Sequence, residues 1–183
     1  DDYSVFNKEN LAKYDAILFN NTTHLVFQND TQRDAILNFL KQGKGVAGIH
    51  AASDNFYKWK AAARMVGGQF DSHPWNAGGT WSFKLNDPKH TLNRAFKGKG
   101  FWLKDEIYQY KPGTFVGEDK ICILISLDLS KSQTMGPLNS NLALKKQYTE
   151  GGRYVPVSWL RKFEGGRVFY TNFGHNESTF WNP

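Results

Sequence analysis

The sequence predicts an α/β fold built on a mostly parallel sheet, and three observations carry that prediction. The first fifty residues read strand, helix, strand, which is a βαβ unit with a parallel pair. Ile121 to Leu127, ICILISL, is apolar throughout, as a central strand covered on both faces must be. Val155 to Phe163 and Arg167 to Phe173 flank Glu164-Gly165-Gly166, a hairpin signal.

The elements follow in order. Asp15 to Asn20, DAILFN, is a short apolar run and reads as a buried strand, with NNTT as a polar loop behind it. Thr31 and Asp34 have the spacing of a helix-opening cap, and Ile36, Phe39 and Leu40 recur at helical spacing. Gly43 closes that helix, and Gly45 to Ile49, GVAGI, is the second strand, ending at His50. A second helix is expected over about Phe56 to Val66, stopped by Gly67-Gly68. QFDSHPWNAGG reads as a loop, and Trp81, Phe83 and Leu85 alternate with polar residues as one face of a strand. Phe101 to Tyr110, FWLKDEIYQY, reads as a further strand. Ser130 to Gly152, rich in Ser, Asn, Gln and Gly, reads as a long excursion, a lid or an insertion.

Bulk composition bounds the function. The chain has 183 residues, 40% of them hydrophobic and 15% aromatic, enough for one core and one domain. The formal net charge is +6. The cations are scattered, with the densest groups at Lys97-Gly98-Lys99 and Lys145-Lys146, so no nucleic-acid partner is expected. No stretch reaches the roughly 18 apolar residues of a membrane span. The chain begins at Asp1 without a Met, which is compatible with a removed leader; a secreted or periplasmic location is favoured over a cytoplasmic one. Cys122 is the single cysteine, which excludes an internal disulfide framework. Lying inside ICILISL, it is expected to be a small buried hydrophobe and not a nucleophile.

Open α/β sheets bind ligands beyond the carboxyl ends of their strands. Three segments place polar groups there: Asn20 to Thr23, His50 to Asp54 and His175 to Glu177. His50 directly follows an apolar strand and precedes two alanines, an arrangement that fits a tight turn exposing the imidazole. A hydrogen-bonded structural histidine is the competing reading. His175, between Gly174 and Asn176, follows the same logic, and His73 stands beside Pro74 and Trp75 as a substrate contact or a plain loop residue. His24 and His90 read as structural or surface groups. Asp105-Glu106 lies amid Trp and Tyr, so one of the two carboxylates should point inward. Ser53-Asp54 lacks the frame of a serine triad. His50, His73, His175 and Glu106 have the ligand types for zinc, manganese or nickel, and a divalent metal stays open. Without a metal, one histidine and one carboxylate make an acid–base pair.

At GVAGIHAASDNF, DSHPW, DEIYQY and GRVFYTNFGHNES the chain resembles the ThuA-like family, named for trehalose utilization. The resemblance runs along essentially the whole chain in the right order. It implies a flavodoxin-like three-layer sandwich similar to class I glutamine amidotransferases, in one domain spanning residues 1–183. It also implies truncation at both ends, with the first strand and helix and the C-terminal helix missing. In those amidotransferases the turn after this strand carries the catalytic cysteine; here His50 stands there, so glutaminase chemistry is not expected.

The resemblance further implies carbohydrate metabolism. The expected function is an enzyme, a hydrolase or lyase, cleaving or isomerising a 3-keto-glycoside or disaccharide by His/Glu acid–base chemistry, with a small sugar as partner. The alternative is a non-catalytic carbohydrate-binding domain of a larger protein, and a homo-oligomer stays open. The expected catalytic residues are His50, Glu106 and His175. The expected substrate contacts are His73, Trp75, Asn21, Asp105, Tyr108 and Asn176.

Overall fold

A computed structural model of the protein describes residues 2–115, 120–150 and 154–182. The fold is mixed α/β, and the chain divides into two compact units. The first comprises residues 1–70, 110–121 and 160–170; the second comprises 71–109, 122–159 and 171–183.

In the first unit a short helix, α1 (Lys8–Leu11), leads into β1 (Ala16–Asn20), α2 (Asp30–Lys41) and β2 (Gly45–Ile49). β1 and β2 pair in parallel, from Ala16 against Gly45 to Asn20 against Ile49, so the expected βαβ unit is present. The helix cap is Asn29, not Thr31: the Asn29 side chain accepts from the Gln32 amide, and the Gln32 side chain accepts from the Gln28 amide. This is the reciprocal logic of a capping box, displaced two residues toward the N-terminus. Ala35, Ile36, Phe39 and Leu40 form the buried face of α2, and Gly43, at φ +82°, follows its end. Gly48 is required by close packing, since a Cβ there would lie 2.9 Å from Ala52 Cβ and 3.2 Å from the Tyr170 ring.

The second helix is shorter than the periodicity suggests. α3 runs Lys60–Val66 and ends at Gly67, φ +109°. Phe56 cannot join it, because its φ of +54° is left-handed and its ring stacks on Phe27 and meets Phe19 and Trp59 edge-on.

Near the end of the chain lie β8 (Pro156–Phe163) and β9 (Gly166–Thr171), joined at Glu164-Gly165. Both turn residues have positive φ, +50° and +87°, as a two-residue hairpin turn demands. Sheet order in the first unit is β1-β2-β9-β8.

The second unit contains β3 (Phe70–Trp75), β4 (Thr80–Leu85), β5 (Phe101–Lys104), β6 (Ile107–Tyr110) and β7 (Cys122–Leu127). Its sheet order is β8-β7-β4-β5, with β3 and β6 forming a separate two-stranded sheet. β4 runs antiparallel to both neighbours, placing Phe83 opposite Phe101 on one side and Leu127 on the other.

Three expectations change here. The segment around Ser72-His73-Pro74-Trp75 is a strand and not a loop. In a two-stranded sheet, a proline can occupy a position that needs no ladder donor. Phe101 to Tyr110 is two strands, broken at Asp105-Glu106, where the backbone leaves the ladder and the Asp105 side chain takes over as acceptor. The region after Ser130 is packed helical structure: α4 (Ser132–Met135), a 3-10 turn (Gly136–Ser140) and α5 (Leu142–Thr149). Thr134 and Leu138 are fully buried there. The Thr134 carbonyl accepts from Trp75 Nε1 at 2.7 Å, and its hydroxyl accepts from the Ser82 amide at 2.8 Å. Gly151 and Gly152 lie outside the described residues.

Cys122 is also corrected. It is the first residue of β7 and exposed, between buried Ile121 and half-buried Ile123. The folded protein is therefore expected to react stoichiometrically with a thiol reagent such as Ellman's reagent. A thiol that reacts only after unfolding would contradict this placement.

Candidate functional site

The break between β5 and β6 organises a polar cluster in the second unit. Asp105 is fully buried, and its two carboxylate oxygens accept four hydrogen bonds. The Glu106 amide donates to Oδ1 at 3.0 Å and the Asn176 amide to Oδ1 at 3.0 Å. The Gly174 amide donates to Oδ2 at 2.7 Å and the Thr179 hydroxyl to Oδ2 at 3.0 Å. Bonds from neutral donors to an ionised carboxylate are the stronger kind, and four of them offset the cost of burying that group. The result is a staple: one side chain ties the backbone carrying Glu106 to the turn carrying His175.

Gly174 makes that turn. Its φ of +117° lies where side chains with a Cβ are strained, and its amide must face Asp105. Asn176 reinforces the turn, its Nδ2 donating to the carbonyls of Ala77 and Lys104. Asn172, fully buried, accepts from the Tyr108 amide at 3.0 Å and so anchors the start of β6 to the same segment.

Glu106 stands at the centre. Its side chain is 10% exposed, whereas His73 and His175 are about half exposed at 53% and 45%. His73 Nδ1 lies 3.4 Å from Oε2, and His175 Nδ1 lies 3.3 Å from Oε1. One carboxylate thus faces an imidazole on each side. These separations exceed the roughly 2.7–2.9 Å of a tight charged hydrogen bond. A carboxylate and imidazole nitrogens are also divalent-cation ligands.

In the first unit, His50 follows β2 and opens a 3-10 turn, His50–Ser53. Its φ is +44°, a left-handed conformation uncommon for a side chain of this size. Its carbonyl accepts from the Tyr170 hydroxyl at 2.7 Å, and the Ser53 hydroxyl lies 3.0 Å from the same oxygen of Tyr170. The expected tight turn is there, but its side chain is buried and not exposed. Asn21, also left-handed at φ +52°, uses its side-chain oxygen to accept from the Ala51 amide at 3.3 Å.

The structure therefore brings Glu106, His73 and His175 together within the second unit. Asp105 and Asn176 hold the backbone that carries Glu106 and His175. Trp75 is fully buried with its indole N–H committed to Thr134, and Tyr108 is buried, so neither presents a ring to solvent. His90 accepts from the Leu92 amide as a turn cap, and His24 lies near Asp54 at the surface, as structural roles require. Gly174, Asn172 and Thr179 are the contributors that sequence reasoning missed. The polar residues interrupting the aromatic run TNFGHNEST were the available signal.

The family model for ThuA, described as trehalose utilisation, matches residues 1–183, the whole chain. No curated protein matches the chain. Among solved structures, a ThuA-like protein from Bacteroides uniformis superposes with a TM-score of 0.69 at 21% identity, covering 99% of this chain and 68% of that one. A ThuA-like protein from Parabacteroides merdae gives 0.64 at 18% identity, covering 97% and 66%. The chain thus spans about two thirds of the length of these relatives. A β-galactosidase from Bacillus circulans sp. alkalophilus shares the fold at a TM-score of 0.53 and 10% identity, over 88% of this chain and 20% of that one.

Proposed function

The chain belongs to the ThuA family, that of trehalose utilisation, and from that footing we propose an enzyme of carbohydrate metabolism that cleaves an oxidised, 3-keto glycoside or disaccharide. The observation that carries the reading is the Glu106 carboxylate held between two imidazoles on the buried Asp105 staple.

The chemistry needs one base and one acid. A ketone at C3 acidifies the proton on C2. Glu106 removes that proton, and the C2–H electron pair becomes the C1–C2 double bond. The C1–O bond breaks, and a protonated His175 gives its proton to the departing glycosidic oxygen. Water then adds to C1 as a proton returns to C2, leaving a free 3-keto sugar. His73, the more exposed of the two imidazoles, serves as a substrate contact. His50 is proposed as a further catalytic residue. Left-handed backbone at a non-glycine strand end costs about 1–3 kcal/mol and tends to mark functional positions. Positioned acid–base groups contribute about 100- to 10,000-fold each.

The test is release of the aglycone sugar from a 3-keto-disaccharide, followed by chromatography with wild type and His175→Ala. Release that persists undiminished in His175→Ala would sink the proton-donor role. No release from any 3-keto-glycoside would sink the reaction. The acid–base scheme also predicts unchanged turnover after exhaustive dialysis against EDTA. Loss of activity restored by one divalent cation would replace it with metal-assisted chemistry on the same ligand types.

A further inference from the structure

The first unit contains a cleft of about 480 Å³ that uses none of the proposed catalytic residues. Tyr57 and Trp59 supply aromatic walls, Lys60 and Arg64 supply charge, and Gln69 and Thr114 form part of the lining. The lining is rigid on one side. The Gln69 amide donates to the Thr114 hydroxyl at 3.1 Å, that hydroxyl donates to the Lys111 carbonyl at 2.7 Å, and the Lys111 amide donates to the Gln69 carbonyl at 2.8 Å. Gly113, at φ +78°, permits the turn.

Lys60 and Arg64 are the charged residues of the lining, and the Tyr57 hydroxyl in its wall donates to the Asp54 carboxylate. Lys60 and Arg64 are one helical turn apart on α3. Arg161 donates from Nη1 to the Arg64 carbonyl, and its buried Nε has no hydrogen-bond partner. Burial and the neighbouring Arg64 charge hold the Arg161 guanidinium below its ordinary range. The Lys111 ammonium sits 4.5 Å from the centre of the Tyr57 ring. Among the described residues, none of these four cations has a carboxylate within ion-pair distance. Like charges one turn apart destabilise a helix, and a guanidinium is shaped to take a carboxylate or phosphate through two bonds.

We infer that this cleft binds a sugar bearing an anionic group, phosphate or carboxylate, with the anion on Lys60 and Arg64 and the ring against Tyr57 and Trp59. Binding relieves the cation–cation repulsion between Lys60 and Arg64. The proposal is independent of the reaction assigned to Glu106 and His175.

Calorimetry on the full chain with glucose 6-phosphate, glucuronate, inorganic phosphate and glucose tests it. At least one of the two anionic sugars is expected to bind about tenfold or more tighter than both phosphate and glucose. Which one binds identifies the anion. The double variant Lys60→Ala, Arg64→Ala should weaken that binding by at least about tenfold with its melting temperature retained. Trp59 fluorescence should change on saturation of the wild type. Failure of both anionic sugars to bind, equal binding of inorganic phosphate, or undiminished binding by the folded double variant would each overturn the proposal.

Discussion

Replacing Asp105 by Ala is expected to destabilise the protein by about 3–5 kcal/mol, the range for removing one side of a buried charged hydrogen-bond network. Four donors lose their acceptor at once: the amides of Glu106, Gly174 and Asn176 and the hydroxyl of Thr179. Asp105 is fully buried, so water cannot take its place without opening the surrounding structure. In a chain of this size roughly 2–4 °C of melting temperature accompany each kcal/mol, so the midpoint should fall by about 10 °C. Thr179→Val removes only one of the four bonds and should cost about 1 kcal/mol. Asp105→Asn should lie closer to Ala than to wild type, because its amide nitrogen would point a donor at other donors. Calorimetric melting of the three variants checks the order. An Asp105→Ala protein that melts within a degree or two of wild type would show that the staple is dispensable.

Glu106→Gln should do the opposite: leave the melting temperature nearly unchanged and reduce turnover on a 3-keto-glycoside by about 100- to 10,000-fold. Glutamine keeps the shape and the hydrogen-bonding reach toward His73 and His175 but cannot accept the C2 proton. If the loss lies in kcat with KM little changed, the carboxylate acts in the transition state and not in substrate binding. Full activity in this variant would remove Glu106 from the chemistry. Loss confined to KM would leave it as a binding group only. Measured side by side, the two substitutions separate the residue that holds the site together from the residue proposed to react.

The fold was legible wherever one physical rule acted alone. GVAGI is a strand because it is short and apolar and follows the turn at Gly43, and it is found where it was expected, at Gly45–Ile49. Glu164-Gly165 is a hairpin turn because only residues tolerant of positive φ make one. The sequence was misleading where a tertiary partner overrode the local pattern. Phe56 opens the stretch expected as a helix, yet its ring is drawn into the Phe19–Phe27–Trp59 cluster and its backbone turns left-handed. Residues 130–150 lack periodicity and still fold into helical turns, because Trp75 and Ser82 use Thr134 as their partner. Cys122 belongs to an apolar run, but it is the strand's first residue and is exposed beside buried Ile121.

For the candidate site, residue chemistry alone marked Asp105, Glu106, His73 and His175, and the whole-chain family match agrees with the resemblance those motifs carry. It did not separate the two adjacent carboxylates. Side-chain direction at a strand break is set by which donors surround it, and three of the four donors to Asp105 come from Gly174, Asn176 and Thr179, about seventy residues further along the chain. The sequence by itself determined the element types and the residues able to carry acid–base chemistry, since both follow from local composition. Only the tertiary structure decided that Asp105 is spent on holding the turn while Glu106 faces two imidazoles, because hydrogen-bond satisfaction of a buried carboxylate is a property of the packed chain.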